Sequence, residues 1–222
     1  MNQLLDAVDK RVCVFLGGDV RAGCFASGLG ERHDDSIVSA NWFVALPISF
    51  ELDLEQFAAP PGVRLFARAD RHITVAFLGP VSPGRALAAF QAARDIPLKA
   101  IEVSLGAIEA LGSPRRPSAF SALLARGRSE VEHAMGAVRA LAWDAAEAQH
   151  DARPPLAHVT LARPRRAASH AERTRALDWA RALALPEITA RLTELALYTW
   201  SDDRSQTLFR IEQRAALAAD LE

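Results

Sequence analysis

Apolar positions recur along this chain with two different periods, and their succession sets the elements to be expected. NWFVALPI, from Asn41 to Ile48, is a short apolar run closed by Pro47 and reads as a buried strand. A short helix is expected from about Leu52 to Ala58, then a strand from about Val63 to Ala67. A clear strand runs from His72 to Leu78 and is stopped by Gly79-Pro80. Ser82 and Pro83 stand at the N-cap and first-turn positions of a helix that reaches about Arg94. Strands from Ala100 to Ala110 and from Ala119 to Ala125 flank a loop that carries Gly112, Pro114 and Pro117, with Arg115 and Arg116 at its tip. A long amphipathic helix over about Ser129 to Ala148 follows, then a strand from His158 to Arg163 and a helix from about Ser169 to Leu183. Strands near Glu187 to Trp200 and Thr207 to Glu212 close the chain. Strands and helices alternate without the strict rhythm of a parallel sheet, so the expected class is α+β with antiparallel sheets.

The first forty residues read differently. Gly17-Gly18, Gly23, Gly28 and Gly30 interrupt any long periodic element, although RVCVFL from Arg11 to Leu16 has the composition of a strand. The glycine pair is no nucleotide loop, because neither the dinucleotide spacing nor a terminal Gly-Lys-Ser/Thr is present. Residues 1–40 are therefore set apart as an N-terminal extension of unknown role, and residues 41–222 as one domain of two lobes.

Composition changes this picture little. The formal net charge of the 222 residues is -1, so the whole-molecule field neither draws in nor repels a polyanion, and phosphate binding has to be local. Lysine occurs only as Lys10 and Lys99; the remaining positive charge is arginine, whose planar fork suits phosphate oxygens, though an Ala- and Arg-rich chain has this bias for reasons of overall composition too. Cys13 and Cys24 fit no metal-ligand spacing and read as reduced thiols. No apolar run approaches the ~20 residues needed to span a bilayer, and the N-terminus lacks the pattern of a signal peptide. The expectation is a cytoplasmic monomer that uses neither metal nor cofactor.

The chemistry lies in a repeat. RHITVAFLG at Arg71 to Gly79 and AHVTLARP at Ala157 to Pro164 both contain His, apolar, Thr, apolar. Strand alternation puts His72, Thr74 and Ala76 on one face and Ile73, Val75 and Phe77 on the other; His158, Thr160 and Ala162 against Val159 and Leu161 repeat the arrangement. With six His and seven Thr in the chain, random placement yields a His-x-Thr about 0.2 times, so two copies in matched strands argue against chance. Histidine holds or releases a proton near neutrality, so two imidazoles can act together as general base and general acid. That suits in-line displacement at phosphorus, with a threonine hydroxyl donating to a non-bridging oxygen. Thus His72 and His158 are the candidate catalytic residues, and Thr74 and Thr160 the candidate phosphate-binding ones.

At these residues the chain resembles the 2H phosphoesterase superfamily, in particular the bacterial and archaeal RNA 2′,3′-cyclic phosphodiesterases long called 2′-5′ RNA ligases. The marks are NWFVALPI, the first motif HITVAFLG, the second motif HVTLAR with Arg153 upstream, and the late strand TELALYTW. The resemblance implies two antiparallel sheets facing a central cleft lined by both motifs, with helices on the outside. It implies metal-independent opening of 2′,3′-cyclic phosphates, on RNA ends or nucleotides, to 2′-phosphates. By similarity His158 is the base, His72 the acid, and Arg163 a phosphate contact. The chain departs from the family in its forty leading residues and in having Pro155, Leu156 and Ala157 where aromatic, basic and proline residues usually precede the second motif. The alternatives are a phosphodiesterase for another cyclic or 2′-5′ linkage, and a nucleotide- or RNA-binding module with little turnover.

Other residues have both a chemical and a plain reading. Arg115 and Arg116 either grip an RNA backbone or are simply solvated. Arg153, Arg165 and Arg166 surround the second motif and are candidate substrate contacts. Phe66 and Tyr198 are stacking candidates that read more simply as core. His33, His133, His150 and His170 read as surface residues, Asp202-Asp203 as a turn, and Trp42, Trp143, Trp179 and Trp200 as packing anchors.

Overall fold

The structure is a computed structural model that describes residues 40–113 and 116–219. The predicted strand at Arg11 to Leu16, together with Cys13, Cys24, His33 and Arg115, lies outside the described residues. Strand β1 (Trp42–Pro47) is followed by a 3-10 turn (Glu55–Phe57), β2 (Val63–Leu65), a second 3-10 turn (Arg68–Asp70), β3 (His72–Gly79) and helix α1 (Pro83–Arg94). The long hairpin β4 (Ile101–Ser113) and β5 (Arg116–Arg126) leads into α2 (Arg128–Ala146). Then come β6 (His158–Pro164), α3 (His170–Ala182), β7 (Thr189–Leu192), β8 (Glu194–Trp200) and β9 (Phe209–Ala216).

These elements make two sheets, one of four strands in the order β3-β1-β8-β9 and one of five in the order β2-β6-β5-β4-β7. All the strand pairings within them are antiparallel. The predicted α+β class with two antiparallel sheets is what the chain adopts. One face of each sheet goes to a shared core: Val44, Leu46, Ile73 and Val75 from the first sheet meet Val103, Leu105, Ala122, Leu124 and Val159 from the second, over α1 and α2. Amphipathic α2 closes this core with Val131, Met135, Val138 and Trp143. Helix α3 covers the neighbouring part of the same face of the five-stranded sheet, through Ala176 and Ala180 against Val63, Phe120 and Ala162. The helix starts are as the sequence predicts, with Ser82 accepting from the Arg85 amide at α1 and a full Ser169–Glu172 capping box at α3.

Three expectations are corrected. The helix expected from Leu52 to Ala58 shrinks to one 3-10 turn, because Ala58 ends it in the left-handed region (φ 46°) and Pro60-Pro61 cannot continue it. The Gly112–Pro117 loop is mostly strand: Gly112 pairs with Pro117 and Ser113 with Arg116. Pro117 is tolerated there because β6 pairs with β5 only from Phe120 onward, so no second partner needs its missing N–H. The run from Glu187 to Trp200 is two strands, since β7 pairs with β4 in one sheet and β8 with β1 and β9 in the other. Leu192 and Leu195 both point into the core although they are three residues apart, a break of the two-residue period where the chain changes sheets. Among the described residues no helix is long and apolar enough to cross a membrane.

Gly127, between β5 and α2, has φ +72°; a Cβ there would collide with the Glu102 carbonyl oxygen and lie 2.9 Å from Val103 Cγ1. Gly136, inside α2, has nothing within 4 Å of a built Cβ. Thermal denaturation should therefore separate the two: Gly127→Ala is expected to lose about 2 kcal/mol or more, whereas Gly136→Ala should gain about 0.5–1 kcal/mol.

Candidate functional site

Each motif histidine opens its strand and turns its ring back on the chain. His72 Nδ1 lies 2.7 Å from the Asp70 carbonyl oxygen, and His158 Nδ1 lies 2.8 Å from that of Leu156. A carbonyl only accepts, so in the neutral ring Nδ1 carries the hydrogen and the Nε2 lone pair is left for other work. The two rings are thus held by the same hydrogen bond, two residues back in each case. Both are half-buried, as are Thr74 and Thr160.

The two neighbourhoods differ. His72 rests on an aromatic floor, with its centroid 4.8 Å from Phe43, 5.1 Å from Tyr198 and 5.4 Å from the edge-on ring of Phe209. No such ring contact is present at His158 among the described residues, and β5 lies beside it through the pairing of Leu123 with His158. Thr160 Oγ1 lies 3.2 Å from the hydroxyl of fully buried Ser121 on that strand.

Strand register revises how the motifs are aimed. Ala45 pairs with Thr74 but Val44 with Ala76; likewise Ser121 pairs with Thr160 but Phe120 with Ala162. In both places one step on the partner spans two on the motif strand, so each motif carries a β-bulge directly after its threonine. The bulge reverses the alternation. Ala76 therefore faces the main core and Ala162 faces α3, instead of sharing a face with the histidines as strict alternation predicts. The residue five positions after each histidine returns to the histidine side: Phe77 on β3, opposite Phe43 and 47% exposed, and Arg163 on β6. The repeat is symmetric through the bulge and asymmetric at this position.

The charges of the two motifs act on each other. Burial among the aromatic rings lowers the His72 pKa to about 4; the hydrogen bond to Asp70 opposes the shift, while the charges of Arg163 and His158 add to it. The His158 pKa is lowered too, first by burial and then by Arg163, against the bond to Leu156. One guanidinium therefore acts on both imidazoles. Arg163 keeps exposed surface, yet desolvation by the protein around its guanidinium, then the charge of Arg204, lowers its own pKa. Its guanidinium carbon is 5.2 Å from the centre of the Phe66 ring.

Asp70 carries no signal in the sequence. It is 1% exposed, and its carboxylate accepts the amides of Leu208 (2.8 and 3.0 Å) and Phe209 (3.1 Å) while its carbonyl holds His72. Burial raises its pKa; those two amides and then Arg64 offset part of the rise. Pattern alone also misses Ser121 and assigns Phe77 to the opposite face. Phe66 and Tyr198 are buried, Phe66 against Arg163 and Tyr198 against His72, and do not present a free face for a base. Trp143 and Trp179 pack and donate to the carbonyls of Phe77 and Phe57. Arg153 pairs with Asp151, and the carbonyls of Arg165 and Arg166 accept from Arg173. His150 is exposed and pairs with Asp144. Among the described residues no three His, Cys, Asp or Glu side chains are grouped as metal ligands.

Comparison with known proteins places this fold. The fold is similar to that of E. coli LigT in complex with 3′-AMP, with a TM-score of 0.56, 22% identity, and coverage of 80% of this chain and 98% of LigT. TT0787 of Thermus thermophilus is similar at a TM-score of 0.55 and 17% identity, over 82% of this chain and 100% of TT0787. A comparison with curated protein sequences gives no match. A profile of the 2′-5′ RNA ligase superfamily matches residues 46–204, a stretch that holds both His-x-Thr strands and most of both sheets, and the chain belongs to that superfamily.

Proposed function

We propose that the protein hydrolyses 2′,3′-cyclic phosphates, on RNA ends or nucleotides, to 2′-phosphates by metal-independent general acid-base catalysis between His72 and His158. The observation that carries this reading is the pair of imidazoles with Nδ1 tethered and Nε2 unpartnered among the described residues, both under the influence of Arg163. E. coli LigT has been crystallised with 3′-AMP, ATP, NADP+ and phosphate, which supports a nucleotide phosphate as the ligand class.

In the proposed reaction His158 Nε2 takes a proton from water as its oxygen bonds to phosphorus. The bond from phosphorus to O3′ breaks on the opposite side, and His72 Nε2 gives its proton to that oxygen, leaving a 2′-phosphate. Thr74, Thr160 and Arg163 bind the non-bridging oxygens and stabilise the charge that gathers on them. Ser121 orients the Thr160 hydroxyl. Before substrate binds, both imidazoles are neutral at pH 7, since their pKa values are lowered. The acid is loaded with its proton as the negative phosphate arrives between the rings and reverses part of the shift.

Steady-state assays on a 2′,3′-cyclic nucleotide should show kcat reduced about 10²- to 10⁴-fold by His72→Ala or His158→Ala, and less, about 10- to 10³-fold, by Thr74→Val or Thr160→Val. A 4-nitrophenyl phosphodiester, whose leaving group needs no proton, should be cleaved by His72→Ala with a much smaller loss than by His158→Ala; equal losses would contradict the division of roles. The pH dependence follows from the sign of the shifts. A lowered pKa means the free protein loses the required proton earlier as pH rises, so the basic limb of kcat/KM should fall below pH 6.5, the ordinary histidine value. The basic limb of kcat should lie higher, because bound phosphate restores proton affinity; coincident limbs above pH 7 would count against the proposal. Activity should survive EDTA undiminished, and loss with rescue by a divalent ion would overturn the metal-independent route.

A further inference from the structure

Next to Arg163 two further arginines converge, and neither is used by the reaction described above. Arg64 is the direct cross-strand partner of Arg163 in the β2-β6 pairing, so both side chains leave the same face of the sheet. Arg64 Nη2 donates to the carbonyl oxygen of Arg204 at 2.6 Å, across 140 residues of sequence. The Arg204 guanidinium in turn lies 4.5 Å over the Trp200 ring at the end of β8. Three guanidinium-bearing residues are thereby gathered, and their charges act on one another: burial first and then Arg204 lower the pKa of Arg163, and burial first and then Arg64 lower that of Arg204, against Asp70.

Like charges gathered by a fold call for a counter-charge. Among the described residues none of the three forms an ion pair with a carboxylate. One buried carboxylate, Asp70, acts electrostatically on Arg64 and Arg204 while it accepts the amides of Leu208 and Phe209; Asp202 pairs with Arg210 at 2.7 Å and Asp203 accepts the Ser205 amide at 2.8 Å, so three guanidinium groups outnumber their counter-charge. Arg204 is exposed and Arg64 half-buried, so both are open to an external anion. Their placement is directional, since they lie on the Arg163 side of a site whose equivalent position on the other strand is the apolar Phe77.

We propose that Arg64 and Arg204 form a second phosphate subsite beside the reacting one, selecting substrates in which the cyclic phosphate is accompanied by a further phosphate on the same nucleotide. The substrate class is then the 3′ end of an oligonucleotide, or a nucleotide with an additional 5′-phosphate, in preference to a lone cyclic mononucleotide. This rests on the reaction proposed above, since Arg163 bridges the two subsites. The Arg204 guanidinium, desolvated on one side by Trp200, and Arg64 bonded to the Arg204 carbonyl suit a phosphate monoester or diester through charge-assisted hydrogen bonds, and need no contact with the base.

The test compares kcat/KM for a nucleoside 2′,3′-cyclic phosphate with that for the same compound carrying a 5′-phosphate, in wild type and in Arg64→Gln and Arg204→Gln. The added phosphate should raise kcat/KM about ten-fold or more in wild type at low salt, and the gain should shrink as salt rises. In either variant the ratio between the two substrates should collapse to within about two-fold. Because both substrates are read on one preparation, partial loss of folded protein leaves that ratio unchanged. Binding of a nucleoside 3′,5′-bisphosphate against the 3′-monophosphate, followed by calorimetry, reads the subsite without turnover. If wild type hydrolyses neither substrate yet prefers the bisphosphate through Arg64 and Arg204, the reaction is wrong and the subsite stands. If wild type turns over both substrates equally, or the variants keep the full ratio, the subsite is refuted and the reaction stands.

Discussion

One hydrogen bond, made twice, decides what the cleft can do. An imidazole has two nitrogens, and unless one is committed the ring is free to flip or exchange tautomers. Here the Asp70 and Leu156 carbonyls each take an Nδ1 hydrogen, so both rings present the same atom, Nε2, in the same chemical form. The acceptors are backbone atoms two residues upstream, fixed by the entry of the chain into each strand. At Asp70 the tether is reinforced, because the side chain of the same residue clamps the amides that start β9. The first imidazole is therefore anchored to a turn that is itself anchored to the far edge of its sheet.

A second constraint comes from packing. Each motif strand must send apolar side chains into a shared core and still bring a histidine, a threonine and a long polar or aromatic side chain to one side. Strict alternation brings His and Thr together but would send the residue five positions after the histidine to the other face. The bulge after each threonine resolves this, and its presence in both strands makes the two halves of the site equivalent down to the backbone. The halves then diverge where the bulge delivers Phe77 on one side and Arg163 on the other. The aromatic floor under His72 widens the difference between the halves: burial there lowers the ring's pKa to about 4, so this imidazole can act as an acid only once a bound phosphate restores its proton.

Much of the fold was legible in the sequence because it depends on local periodicity. The strands at His72 and His158, the cap at Ser82, the start of α3 near Ser169 and the length of α2 lie close to where pattern alone places them. The repeated His-x-Thr marked the candidate site for the same reason. What was not legible depends on partners remote in sequence. The bulges are a property of register against β1 and β5, so alternation misassigned Ala76, Ala162 and Phe77. Asp70 read as an ordinary turn residue because its amide partners lie 138 and 139 positions away. The split between β7 and β8 was hidden inside one continuous apolar run, and only the three-residue spacing of Leu192 and Leu195 betrays it. Arg163 entered through family resemblance alone, and register supplies the physical reason for its direction.

The central claim is that two tethered imidazoles serve a single phosphorus atom. A crystal structure with a bound nucleoside 2′-phosphate, or a vanadate mimic of the pentavalent state, measures this directly. The account predicts His72 Nε2 and His158 Nε2 each within about 3.2 Å of oxygens on the same central atom, with Arg163 on a third. A ligand whose phosphorus is touched by one imidazole while the other faces a separate space would contradict it.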